Sequence, residues 1–280
     1  MEICEQLIAL FQKHFYIYNI NISKSMQTTK DIFNIFLEKY QKNDFRIIGN
    51  NVQQSKTLEI QNAHFEVDKL WIVREPNYEY INRELNWYLS QSLNVNDIPG
   101  ETPKMWKACA TPDGYINSNY GWCIFSEENG SQFEHCKQHL IDDPHTREAI
   151  MIYNRPNMQV DYNKDGMHDF MCCQNVQYFV NDFDENNDIL DCIVNFRSND
   201  AVFGFNNDAA WEFWILEKLA EELRTIWHEK FNKNISSGHM YWNAGSLHIY
   251  ERHFNILTSD ETKQKVQDYY RIKSRKIQHL

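Results

Sequence analysis

No apolar run in this chain approaches the roughly 18 to 20 residues needed to span a bilayer, and no N-terminal stretch combines the basic region, apolar segment and small-residue cleavage site of a secretory signal. A cytoplasmic location is therefore expected. Glycine is scarce, at 9 of 280 residues, and 14% of the chain is aromatic, which argues for a packed, ordered protein of one large or two small domains. Basic residues are outnumbered 28 to 39, giving a formal charge of −11. That balance removes any general attraction to nucleic acid or an anionic membrane, yet leaves room for a local basic pocket around one phosphate. Neither a glycine-rich phosphate loop nor a GxSxG elbow occurs. The cysteines are odd in number, at 7, and too sparse for a secreted disulfide scaffold, so they should be free thiols.

Apolar residues recur at helical spacing in "EQLIALFQKHF" and again in "TTKDIFNIFLEKYQK", where a threonine caps the start. The polar "GNNVQQSK" reads as a loop and "TLEIQNAHFEV" as a strand. The next helix, "YEYINRELNWYLSQSL", places Tyr78, Ile81, Leu85, Tyr88 and Leu89 on one core-facing stripe. Further strands are expected at "EAIMIYN", "CQNVQYFV", "ILDCIVNF" and "HMYWNAGSLHIY", with a long helix over about 207 to 231. Strands and helices mix without regular βαβ alternation, which predicts an α+β fold. We divide the chain into a helical N-terminal extension, residues 1–55, and a main domain, residues 56–280. Partner docking is one hypothesis for the extension.

The stretch "DYNKDGMHDFMC" imitates a calcium loop, with Asp161, Asn163, Asp165 and Gly166 at the first, third, fifth and sixth ligand positions. The twelfth should be a bidentate Glu and is Cys172, so a polar turn before a strand is the better reading. The adjacent Cys172 and Cys173 lack the CxxC spacing of a zinc site. A free cysteine is usually a packing residue, so the doublet alone does not say whether either thiol reacts.

Taken in order, "YINRELNWYLSQSLNVNDIPGETPKMW", "INSNYGW", "IMIYNRP", "DYNKDGMHDFMC", "VQYFV", "RSNDAVFGFNNDAAW" and "WNAGSLHIYERHF" resemble the thymidylate synthase superfamily, and within it the phage deoxycytidylate hydroxymethylases. The resemblance runs from about Thr57 to Phe254. It implies a mixed twisted sheet packed with helices and a homodimer joined sheet to sheet. The family nucleophile lies five residues before a Gln, which selects Cys172 with Gln177. Five residues along a strand would put the two on opposite faces, so a bulge is expected between them if both face the site. By the same resemblance Arg197 and Ser198 hold the substrate phosphate, Asn199 and Asp200 position the substrate, and His248 and Tyr250 bond the deoxyribose hydroxyl. Arg147 matches the first of two arginines lent to the neighbouring subunit. The second is Glu148 here, a departure that puts the cross-subunit contact in doubt. Glu84 matches a glutamate that organises water, and Tyr120 a tyrosine near the thiol.

Base choice rests on Asp208, where relatives acting on deoxyuridylate carry Asn. Cytosine presents an acceptor at N3 and a donor amine at C4, which a carboxyl can satisfy and a uracil-oriented amide cannot. A helix cap is the structural alternative for this Asp. The resemblance implies that Cys172 adds to C6 of dCMP and that C5 takes the one-carbon unit of 5,10-methylenetetrahydrofolate. Water then completes 5-hydroxymethyl-dCMP, a precursor of modified viral DNA. Other viral nucleotide-synthesis enzymes are candidate partners; neither a membrane nor direct nucleic-acid binding is expected. The alternatives are a deoxyuridylate-directed relative and a non-catalytic nucleotide- or partner-binding one.

Overall fold

The computed structural model describes residues 26–49 and 54–277, the last five by backbone only. The helix expected in "EQLIALFQKHF" lies outside the described residues. Helix α1 (Thr29–Gln41) opens on the Thr28–Asp31 capping box and buries Ile32, Phe33 and Phe36. Strands β1 (Arg46–Gly49) and β2 (Gln54–Glu66) follow, so the stretch read as a loop is strand at both ends. Helix α2 (Tyr78–Ser90) is capped by Asn77, whose side chain accepts from the Tyr80 N–H. Its stripe is as expected at Ile81, Leu85 and Tyr88, but Tyr78 is 37% exposed, because it starts the helix beyond the core's edge.

Short helices α3 (Lys104–Cys109), α4 (Tyr120–Phe125) and α5 (Gln132–Asp142) lead to strand β3 (Ile150–Ile152) and helix α6 (Met158–Asp161). Then come β4 (Cys173–Asp182), β5 (Asn187–Phe196), the two-residue β6 (Asn199–Asp200), the long α7 (Gly204–Phe231) and β7 (Asn234–Tyr250). Helices α8 (Phe254–Thr258) and α9 (Asp260–Ile277) close the described chain. Among the described residues no helix is long and apolar enough to cross a membrane.

The strands form one mixed sheet in the order β1-β2-β7-β5-β4-β3, with β6 beside β7. Pairing is antiparallel except where β7 meets β5 and β6, which it joins in parallel after the α7 crossover. This is the α+β arrangement expected. Helix α7 covers one face: Phe205 lies edge-on to Trp242, which stacks on Phe196 at 4.8 Å. It ends at Asn232, whose left-handed backbone suits a helix stop.

Where β4 pairs with β5 the register shifts between Cys173 and Asn175. This bulge keeps Cys173, Val176, Tyr178 and Val180 all buried despite the odd spacing. An irregularity thus lies between Cys172 and Gln177, although Gln177 does not line the cavity that Cys172 faces. Arg197 anchors the same corner, its N–H donating to the Cys172 carbonyl while its own carbonyl accepts from Ser246. A Cβ on Gly245 would come within 2.9 Å of that carbonyl, so only glycine lets β7 pass so closely.

Candidate active site

The ends of β5, β6 and β7, the entry to β4 and the first turns of α7 converge on a cavity of about 750 Å³, within the range that holds a small-molecule ligand. Helix α2 contributes Glu84 and the start of α4 contributes Tyr120. Cys172 stands at the entry to β4, and the turn after β5 supplies Arg197, Ser198, Asn199 and Asp200. Asp208 reaches in from α7, and His248 with Tyr250 from the end of β7. Gln177 and Arg147 lie outside the cavity: the Gln177 amide donates to the Arg147 carbonyl at 2.8 Å, and Arg147 is exposed. Glu148 is exposed too, 3.7 Å from His139.

Of the two adjacent thiols only Cys172 opens onto the cavity; Cys173 is 0% exposed, with its sulfur 3.9 Å from the Glu212 carboxyl. Burial pushes the Cys172 thiol up to about 11, and the Arg197 guanidinium works against that shift from 3.5 Å. Arg197 also donates to the carbonyls of Met171 at 3.0 Å and Phe170 at 2.5 Å. It thus fixes the backbone ahead of the thiol while leaving further N–H groups for an anion.

Asp208 lies in the second turn of α7, whose cap position is Phe203, so it caps no helix. Its carboxyl accepts from the Asn199 amide at 2.7 Å and from the Tyr120 hydroxyl. Burial first, and the charge of Glu84 next, hold its pKa well above the usual carboxylate range, and those two hydrogen bonds oppose the rise only in part. The shift favours the protonated form, which can donate as well as accept. Glu84 is 4% exposed rather than a solvated helix residue, and burial raises its pKa also. Tyr80 and the Trp106 indole, at 2.9 Å, both donate to one of its oxygens, which leaves the other for water. His248 meets the Tyr250 ring edge-on at 4.8 Å, and burial lowers its pKa, so the imidazole is neutral at pH 7.

Several lining residues were not singled out from the sequence. Arg74 and Arg252 join Arg197 on the cavity, each packed over an aromatic ring, Phe203 at 5.0 Å and Tyr250 at 4.4 Å. Three arginines thus line the cavity together with five carboxyls, Glu75, Glu84, Asp169, Asp200 and Asp208. Trp106 and Asp169 were visible inside the quoted motifs, but nothing in their spacing marked them. Met105, 63% exposed, adds apolar surface to the cavity next to Trp106 in the chain.

A mixed sheet carrying a thiol, a buried carboxylic acid and clustered arginines at one cavity is the architecture of a folate-dependent one-carbon transferase. The family model for thymidylate synthase matches residues 27–279, and the chain belongs to that family. It is 48% identical over 218 residues to the deoxycytidylate 5-hydroxymethyltransferase of Enterobacteria phage T4, covering 76% of this chain and 85% of the relative. Against the enzyme of the same name from Enterobacteria phage T2 the identity is 50% over 202 residues, covering 72% and 79%. A thymidylate synthase of Francisella tularensis subsp. holarctica is 25% identical over 191 residues, covering 65% and 64%.

Proposed function

We propose that the protein is a deoxycytidylate 5-hydroxymethyltransferase, converting dCMP, 5,10-methylenetetrahydrofolate and water to 5-hydroxymethyl-dCMP and tetrahydrofolate. The observation that carries this reading is Asp208, a buried carboxyl that lines the cavity and accepts from the Asn199 amide. In its protonated form it donates to N3 of cytosine and accepts from the C4 amine, the pairing that an amide set for uracil does not offer. The similarity to the phage enzymes points the same way.

In this reading Arg197 and Ser198 take the phosphate, and Asn199 and Asp200 steady the nucleotide. His248 and Tyr250 bond the sugar hydroxyl. Cys172 adds through sulfur to C6, with Arg197 easing formation of the thiolate, and Asp208 holds the electron-rich ring that results. Tyr120, hydrogen-bonded to Asp208, assists removal of the C5 proton. The wall of Trp106 and Met105 fits a flat, partly apolar pterin, and the folate when bound supplies the carbon that becomes the hydroxymethyl group. The free oxygen of Glu84 holds the water that completes it.

The sheet face away from α7 carries a row of bonded polar side chains, Asn175 to Asn195 to Asn243 at 2.9 Å each and on to His64 at 2.5 Å. Gln177 also projects away from the core. We assign this face to a homodimer and place the enzyme in the host cytoplasm, making precursors for modified viral DNA alongside other viral nucleotide-synthesis enzymes.

The test is a mass spectrum of nucleotides after incubation with dCMP, dUMP and methylenetetrahydrofolate together. Gain of one CH₂O on dCMP alone is expected. A methyl group on dUMP would make the protein a synthase, and binding without product would make it non-catalytic.

A further inference from the structure

Asp169 belongs to the cavity wall, and the reaction as described gives it no task. It is 7% exposed and lies three residues before Cys172. One carboxyl oxygen accepts the backbone N–H groups of Asn117 at 2.7 Å and Ser118 at 2.8 Å, and the other accepts the Ser118 hydroxyl at 2.6 Å. The Asn117 amide returns a bond to the Asp169 carbonyl at 3.3 Å. Two residues beyond Ser118 stands Tyr120, bonded to Asp208. The carboxyl is therefore the joint between two walls of the cavity, one bearing the tyrosine and one bearing the thiol.

On its other side the segment is held by Arg197, through the carbonyls of Phe170 and Met171. The three residues leading to the nucleophile are thus clamped at both edges. The clamp has an electrostatic cost, because a negative charge at Asp169 opposes thiolate formation at Cys172. A charge that hinders the thiolate is tolerated here for the geometry it fixes.

We propose that Asp169 is a positioning residue that sets the Cys172 sulfur and the Tyr120 hydroxyl in register across the bound base. The proposal rests on the function given above. Misplacing a reacting group by about 1 Å can cost about a hundredfold in rate, so loss of the joint should fall on kcat. Asn at this position can still accept both backbone N–H groups, with the Ser118 hydroxyl turned to accept from the new amide.

The experiment compares Asp169→Ala, Asp169→Asn and Ser118→Ala with the wild type for kcat and KM on dCMP. It also records the pH dependence of Cys172 alkylation by iodoacetamide. With Asp169→Ala, kcat should fall by about a hundredfold with KM changed by less than about threefold, and Asp169→Asn should recover most of the loss. In both variants the alkylation midpoint should move to lower pH, because the opposing charge is gone. Ser118→Ala, which removes a single bond, should lie between wild type and Asp169→Ala; it keeps the test open if the Ala variant does not fold. Wild-type kcat in Asp169→Ala, equal loss in the Ala and Asn variants, or an unmoved alkylation midpoint would overturn the proposal. Absence of dCMP turnover by the wild type would instead overturn the function, leaving the alkylation profile to judge Asp169 alone.

Discussion

At the scale of single residues, the proposed function rests on two side chains, Cys172 and Asp208, and each can be tested by substitution. Cys172 faces the cavity and Cys173 the core. Cys172→Ser should abolish product formation, and Cys173→Ser should keep turnover within several-fold at some cost in stability; equal loss in a turnover assay would refute the assignment. Asp208→Asn should move preference from dCMP towards dUMP, since an amide can donate to O4 and accept from N3–H. A polar mismatch of this kind discriminates by up to about 10⁴ to 10⁵, so the ratio of kcat/KM values should shift by orders of magnitude. An unchanged ratio would refute the pairing argument. These residues were legible in the sequence because ordered motifs carried them, and ten of the twelve nominated line one cavity. Burial was less legible: Glu84 sits on a polar-looking helix edge, and only the fold shows Tyr80 and Trp106 closing over it.

At the scale of elements, long periodic segments were readable and short ones were not. The strands β4, β5 and β7 and the helix α7 are ten residues or longer and rich in apolar side chains, even where the strand alternation is broken, whereas α3 and α4, of six residues each, show too few turns for a pattern. Yet α4 positions Tyr120, and it does so by lying directly against α2. A Cβ on Gly121 would fall 1.8 Å from the Tyr88 carbonyl, and the rings of Tyr88 and Tyr120 stack at 5.2 Å. Gly121→Ala must push the two helices apart. It should lower stability by about 1 to 3 kcal/mol, seen as a reduced urea midpoint at constant m-value, and should impair turnover by displacing Tyr120. Gly130→Ala is the control: its φ of 79° carries backbone strain, but no atom lies within 4 Å and the site is untouched. Loss of turnover in both variants alike would mean that the α2–α4 contact has no special role.

At the scale of the whole molecule, the acidic composition includes carboxyls that lie buried, where the charged form is disfavoured. The net charge of −11 assumes that every carboxyl is ionised, whereas Glu84, Asp208 and Glu212 lie together inside the protein with raised pKa values. Glu212, one helical turn beyond Asp208 and 0% exposed, accepts from the Tyr153 hydroxyl at 3.2 Å. Burial first, then the charge of Asp208, lift it well above the carboxylate range. In the unfolded chain such a group titrates near about 4.3, so above that pH the folded state holds a proton that the unfolded state has released. The folded state then binds more protons, and its stability falls as pH rises, by up to about 1.4 kcal/mol per unit for each such group until the folded pKa is passed. The contribution is fully present below the unfolded value and is lost on the alkaline side, opposite to that of a carboxylate in an ion pair. Glu212→Gln keeps the shape and has no proton to lose. The melting temperature of the wild type minus that of Glu212→Gln should therefore decrease as pH rises above the unfolded value. Parallel curves would show that Glu212 ionises in the folded protein as it does in water, and the neutral interior assigned to this end of α7 would then be wrong.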